Sequence, residues 1–223
     1  MQKGNFSVIS KGKHKNKKIP MPPPVKNHFS ITPNKVKEAI FQIFDNNIHN
    51  VDNSLFVDLF AGSGQIGFEA VSRGFAGCIF FDISGDRQKN LKNWSRLNLL
   101  SDMNKCFFEK KDGVREFPKI LGNTEDYLQK HGELQWIKHI AIFADPPYGL
   151  KYKQLLILEI LIDLMLNVET GTSFSYTILI QTNADDLGKS GFSELESGDK
   201  RITHRRIFRK FAYGRHRLLL FGF

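Results

Sequence analysis

The stretch Val57-Asp58-Leu59-Phe60-Ala61-Gly62-Ser63-Gly64-Gln65-Ile66-Gly67 decides the fold. An apolar run reaches an acid, enters a glycine turn and leaves it as a helix pattern. Gly62, Gly64 and Gly67 satisfy the spacing G-x-G-x-x-G. Glycine there lets the backbone turn tightly and approach a ligand with no Cβ in between. Asp82 closes the next apolar run, 20 residues after Gly62. An acid at that point can accept hydrogen bonds from ribose hydroxyls. A bare strand–helix turn is the plainer alternative, and the acid at this spacing argues against it.

Outward from this stretch, apolar runs and helical patterns alternate. Strands are predicted at 55–60, 78–82, 105–109, 140–144 and 176–181. Helices are predicted at 65–73, 86–99, 113–130 and 153–167, with a polar loop within 122–138. Such alternation predicts a mostly parallel sheet covered on both faces, an α/β Rossmann-like fold. The rhythm breaks at the end, where 201–210 and 215–223 flank Ala212-Tyr213-Gly214 and predict an antiparallel hairpin, seven strands in all. Upstream, Thr32-Pro33 opens a helix, threonine as cap and proline at the first helical position. Val36, Ile40, Phe41 and Phe44 form its apolar stripe. Residues 1–33 read as a basic extension with a short strand near 6–9, and 34–223 as the main domain.

The 223 residues are 41% hydrophobic and 25% charged, enough to bury a core in one domain. Cys78 and Cys106 are the two cysteines, so a disulfide scaffold is excluded. The seven histidines are scattered without ligand spacing, and no metal is expected. No apolar run reaches the roughly 20 residues that span a bilayer. Residues 1–10 lack a signal-like apolar segment, so a cytoplasmic monomer away from membranes is expected. The net charge of +9 is unevenly placed: residues 1–37 carry nine lysines and no acid, and residues 200–223 carry eight cations and no acid. An acidic middle is thus flanked by two basic ends. Meeting in space, these ends would make the positive face of a nucleic-acid binder. Lys35, Lys37, Arg205, Arg206 and Arg209 are the candidate phosphate contacts.

Taken alone, the glycine loop fits NAD, FAD or S-adenosylmethionine. Asp58 narrows the choice. A carboxylate just ahead of the glycines repels a pyrophosphate and attracts the ammonium of a methionine moiety. Phe60 is placed to pack beside such a cofactor.

A second motif carries the chemistry. The apolar run Ile140-Ala141-Ile142-Phe143-Ala144 delivers Asp145-Pro146-Pro147-Tyr148 to the sheet edge where α/β folds hold their ligands. Two prolines remove two backbone donors. What remains is acceptors, the Asp145 carboxylate and the Pro146 carbonyl, beside an aromatic face. That set suits a planar ring bearing an exocyclic amine, with Tyr148 stacked on the ring. The amine lone pair is delocalised into its ring. Two acceptors gripping its hydrogens favour a pyramidal nitrogen whose lone pair faces the sulfonium methyl, so the reaction rests on positioning and electrostatics. Asp145 can also take the released proton.

With these residues the chain resembles the class I adenosylmethionine-dependent methyltransferases. Within them it resembles the bacterial RsmD group, which methylates a guanine N2 amine in small-subunit ribosomal RNA. The similarity runs from Ser7-Val8-Ile9-Ser10 and Thr32-Pro33-Asn34-Lys35 through both motifs to Tyr213-Gly214 before the last strand. The resemblance implies that Asp58, Gly62, Gly64 and Asp82 hold the cofactor. It places Asp112 at the adenine amine, and Asp145, Pro146, Pro147 and Tyr148 at the target amine. It implies as partner the small-subunit RNA or its assembling particle. Two departures stand out: Ser30-Ile31 replaces the family's usual Arg-Pro, and Asp82 replaces the usual, longer Glu.

Other readings share parts of this pattern. A DNA adenine-N6 methyltransferase uses the same tetrad, but normally carries a recognition region for which the chain has little room. A protein glutamine methyltransferase usually has Asn in place of Asp145. A basic ribosome-binding module would have no use for an intact glycine loop.

Overall fold

Strand β3 (Ser54–Asp58) is buried at every position, as expected for a strand covered on both faces. In the computed structural model, which describes residues 5–21, 32–130, 136–146, 174–183 and 207–222, it lies mid-sheet. The other strands of this sheet are β4 (Gly77–Phe81), β5 (Cys106–Glu109), β6 (His139–Ala144), β7 (Ser175–Asn183), β8 (Ile207–Tyr213) and β9 (His216–Gly222). The order is β5-β4-β3-β6-β7-β9-β8, parallel from β5 to β7, with β9 running antiparallel to both β7 and β8. The seven-stranded α/β architecture and its terminal hairpin are therefore as predicted.

The chain runs from β3 outward through β4 to β5, then returns to place β6 on the other side of β3. That reversal makes a topological switch point between β3 and β6, and a crevice outside their carboxyl ends.

Alternate strand residues feed two cores. Phe56, Phe80, Phe143, Leu179 and Leu220 face helices α1 (Asn34–Asn47), α2 (Gln65–Ser72) and α3 (Gly85–Asn98). Val57, Ile79, Ile142, Ile178 and Leu219 face α4 (Gly113–Gly122) and α5 (Thr124–Lys130). Part of the chain's phenylalanine content sits in the first core: Phe56 makes edge contacts with Phe44 and Phe75, each at 5.3 Å between centroids.

The predicted helix 113–130 is two helices. Asn123 leaves helical geometry (φ −148°, ψ 61°), and the Thr124 hydroxyl bonds back to the Ile120 carbonyl and to Tyr176. Thr32 is not the cap of α1. Pro33 holds that position, its carbonyl already accepting from the Val36 and Lys37 amides, and the Thr32 hydroxyl turns elsewhere. The helix expected at 153–167 lies outside the described residues.

Residues 5–21 of the basic extension are folded and share the core. Strands β1 (Phe6–Val8) and β2 (Lys18–Pro20) form an antiparallel hairpin, and Ile9 and Ile19 are buried against the α1–α3 layer. The attachment centres on Glu69, buried on α2. Its carboxylate accepts from the Ser10 amide (2.8 Å), the Ser10 hydroxyl (2.7 Å) and the Lys11 amide (3.0 Å). Arg73 Nε donates to it at 3.0 Å and Lys37 Nζ lies 3.3 Å away. Burial raises the Glu69 carboxyl, but the Ser10 bonds and the two cations outweigh it and hold it below its ordinary range. The Lys13 amide donates to the Ser72 carbonyl, and Trp94 Nε1 to the Lys18 carbonyl. His14 meets Asp102 at 2.7 Å.

Candidate active site

The carboxyl edge of the sheet gathers acids because each parallel strand ends there. Asp58 closes β3 and pairs in register with Phe143, so Asp145 emerges two residues beyond it. Asp82 follows β4, and Asp112 lies beyond β5.

The glycine loop bridges the first two acids. Its Ala61 amide donates to the Phe81 carbonyl at 2.8 Å, and the Gly62 amide donates to Asp82 Oδ2 at 3.1 Å. Gly64 caps α2 in the left-handed region (φ 78°), where a side chain would be strained. Gly67 lets α2 approach the sheet: a Cβ there would fall 2.3 Å from a Phe80 ring carbon and 2.8 Å from Cys78 Sγ.

Asp58 is buried and accepts from the Phe60 amide at 3.4 Å and from the Gly67 amide. Burial pushes its carboxyl up, the two amides pull it down, and the charges of Asp145 and Asp82 push up again, to about 7. Burial is the main cause, and the two neighbouring acids add to it.

Asp82 does more than face a ribose. Besides Gly62 it accepts from the Ser84 amide (2.8 Å) and from Arg87 (3.4 Å), so the shorter side chain is spent partly on holding the loop. Asp112 caps α4 through the Val114 amide at 3.0 Å and stays 44% exposed, leaving it able to take a further donor. Phe60 is half-buried against the α4–α5 core. Ile83, immediately after Asp82, is 72% exposed, a position to which sequence reasoning gave no role. The available signal was an isoleucine between the acid and the cap of α3, outside any core stripe.

Asp145 is half-buried. Its Oδ2 accepts from Gln181 Nε2 at 3.2 Å and from the Thr32 hydroxyl at 3.5 Å. Pro146 is buried behind it. Pro147, Tyr148, Arg205 and Arg206 lie outside the described residues. Lys35 on α1 and Arg209 on β8 are exposed. Lys37 is corrected: it is 0% exposed, paired with Glu69 and bonded to the Val8 carbonyl. It faces the hairpin and cannot meet a phosphate. Among the described residues no cluster of His, Cys, Asp or Glu could hold a metal, and no helix is long and apolar enough to cross a membrane.

A switch-point crevice, a glycine loop and strand-end acids on a seven-stranded sheet with a terminal hairpin define a class I methyltransferase fold. The chain belongs to the family described as conserved hypothetical protein 95, whose model matches residues 7–175. This bears out the resemblance carried by the two motifs. Over 132 residues the chain is 33% identical to "Putative rRNA methyltransferase YlbH" of Bacillus subtilis (strain 168), a match covering 59% of this chain and 61% of that one. Over 84 residues it is 40% identical to "Uncharacterized methylase RP545" of Rickettsia prowazekii (strain Madrid E), covering 35% and 34%. The chain thus spans less than two thirds of either curated relative. Among solved structures, "Putative methyltransferase yhhF from Escherichia coli" aligns over 98% of both chains, with a TM-score of 0.62 and 18% identity. The putative methylase HI0767 from Haemophilus influenzae aligns equally widely, with a TM-score of 0.60 and 19% identity. At such identities the likeness is one of fold.

Proposed function

We propose that this protein transfers a methyl group from S-adenosylmethionine to the exocyclic N2 amine of a guanine in small-subunit ribosomal RNA. The observation that carries the reading is the convergence of Asp58, Asp82 and Asp145 on one sheet edge, where burial first, and then the charges of Asp145 and Asp82, raise the Asp58 carboxyl to about 7. Such a site favours a ligand bearing positive charge and disfavours a pyrophosphate. The donor set therefore fits adenosylmethionine. Asp58 holds its ammonium, directly or through water. Asp82 takes the ribose hydroxyls and Asp112 the adenine amine. Phe60 and Ile83 supply apolar contact for the rings. When bound, the cofactor supplies a methyl carbon on a cationic sulfur, which departs as a neutral thioether with the electrons of the broken C–S bond.

The guanine N2 provides the electron pair of the new N–C bond. Asp145 and the Pro146 carbonyl accept its two N–H groups and Tyr148 covers the ring. Asp145 takes the proton that the methylated nitrogen releases. A paired base must first leave its stack, at a cost of a few kcal/mol. Lys35, Arg205, Arg206 and Arg209 grip phosphates around it. The ribosomal substrate is supported by the name of the Bacillus relative and by the two basic ends.

The test is methyl transfer from labelled cofactor to small-subunit particles, naked ribosomal RNA and unmethylated DNA, from cells lacking the matching enzymes. Label recovered as N2-methylguanine, and lost in Asp145→Ala, is the expected result. Label in DNA adenine alone overturns the substrate. No label on any nucleic acid, from protein that binds the cofactor, points to a protein amide instead.

A further inference from the structure

We propose that Gln181, backed by Thr32, is the positioning residue of the Asp145 carboxylate, presenting it to the target amine in a single orientation. The role rests on the function proposed above; the contact itself does not. Strand β7 pairs in parallel with β6, with Ile180 opposite Ala144, and this register sets Gln181 beside Asp145. Strand parity puts Gln181 with Leu179 on the α1 face, where Thr32 enters α1. Two neutral donors from separate elements thus meet one oxygen, Oδ2, at 3.2 and 3.5 Å.

The residue type is informative. Gln181 is 1% exposed and ends the apolar run Ile178-Leu179-Ile180. A buried primary amide costs free energy unless it is bonded. An apolar residue would not make the bond that the Gln181 amide gives to Asp145 Oδ2. The donors are also uncharged. A lysine or arginine would cancel the charge that must accept the N–H of the amine. An amide and a hydroxyl stop the carboxylate turning about its Cβ–Cγ bond and leave the charge in place. The same need explains why Thr32 does not cap α1: its hydroxyl is committed to Asp145. Asp58 on the adjoining strand β3 is a titratable group coupled to this carboxylate.

The decisive variants are Gln181→Met, which keeps the volume and removes the donor, and Gln181→Glu, which sets a second carboxyl against Asp145. In Gln181→Met, kcat should fall about tenfold to a hundredfold. KM for cofactor and for RNA should stay within about twofold, because neither ligand is bound through Gln181. In Gln181→Glu, two carboxyls must share a proton. The Asp145 carboxyl carbon, assigned by its loss in Asp145→Asn and followed by 13C NMR, should then titrate roughly one unit or more above the wild type. The acid limb of kcat should move the same way. A Gln181→Met kcat within about threefold of wild type overturns the proposal, as does an Asp145 carbon titrating alike in wild type and Gln181→Glu. If wild-type protein methylates none of the nucleic acids, the function proposed above fails on its own, and the carboxyl titration still decides whether Gln181 holds Asp145.

Discussion

Asp58 is a carboxyl that the fold keeps half in reserve. Its folded pKa, about 7, stands above the ordinary 3.8, so the folded chain holds this proton more tightly than the unfolded chain does. The stability it contributes is complete at low pH and is lost as pH rises toward 7. Asp58→Asn should therefore raise Tm at pH 8. The same variant should lose cofactor affinity, because only the ionised acid attracts the ammonium. In the wild type, calorimetric titration should show cofactor Kd rising up to about tenfold per pH unit below 7. The Asn variant should show weak binding that is flat with pH. Asp58, Gly62, Gly64, Asp82 and Asp145 were legible because each belongs to a motif whose meaning is local spacing. Gln181 and Thr32 were not, since their partner Asp145 lies 36 and 113 residues away and only strand register brings them to it. Lys37 was misread although a signal existed: it sits four residues before Phe41 and seven before Phe44, on the helix stripe that is buried.

At the level of elements, the hairpin and α2 behave as one unit through Glu69. Glu69→Ala leaves the buried Lys37 ammonium without its carboxylate and should cost about 3–5 kcal/mol. Glu69→Gln keeps the shape and should cost less, while speeding amide hydrogen exchange across residues 9–17. Because the Glu69 carboxyl is held below its ordinary range, its contribution is present above about pH 4.5 and disappears as pH falls through the folded value. The tightening of exchange protection between acid and neutral pH should be smaller in Glu69→Gln, with Asp102 beneath Lys13 and His14 supplying the remainder. The strand near 6–9 was visible in the sequence, but its attachment was not. Amide-to-carboxylate bonds from Ser10 and Lys11 leave no pattern in side-chain hydropathy. The break between α4 and α5 was hidden likewise, since Gly122-Asn123 reads equally as a loop or as a weak helical step.

Across the whole molecule the charge is sorted, with acids at the carboxyl edge of the sheet and an excess of cations in the two ends. On the proposed function, binding of small-subunit RNA should therefore weaken steeply with salt. Each phosphate contact removed should reduce the slope of log K against log salt by about 0.7–0.9. Lys35→Ala and Arg209→Ala together should lower that slope in fluorescence anisotropy. Lys37→Met should leave it unchanged, because that ammonium belongs to the interior. The mostly parallel sheet with its terminal hairpin was legible from the alternation of elements, and with it the carboxyl edge on which the acids meet, whereas the strand order was not. What alternation cannot carry is which side chain faces which, and the corrections fall there.

The hairpin is fastened largely by its own main chain: the Ser10, Lys11 and Lys13 amides and the Val8, Lys11 and Lys18 carbonyls make the bonds to the body of the protein. Every amino acid except proline carries those groups. The outward residues Lys11 and Lys15 are thus released from any duty in attachment. Mutational drift at those two positions can change what this surface displays without loosening the joint, which keeps the Lys13–Asp102 pair at 2.9 Å and the Lys17 bond to the Asn98 carbonyl. The grip on the molecule and the face shown to a partner are inherited separately.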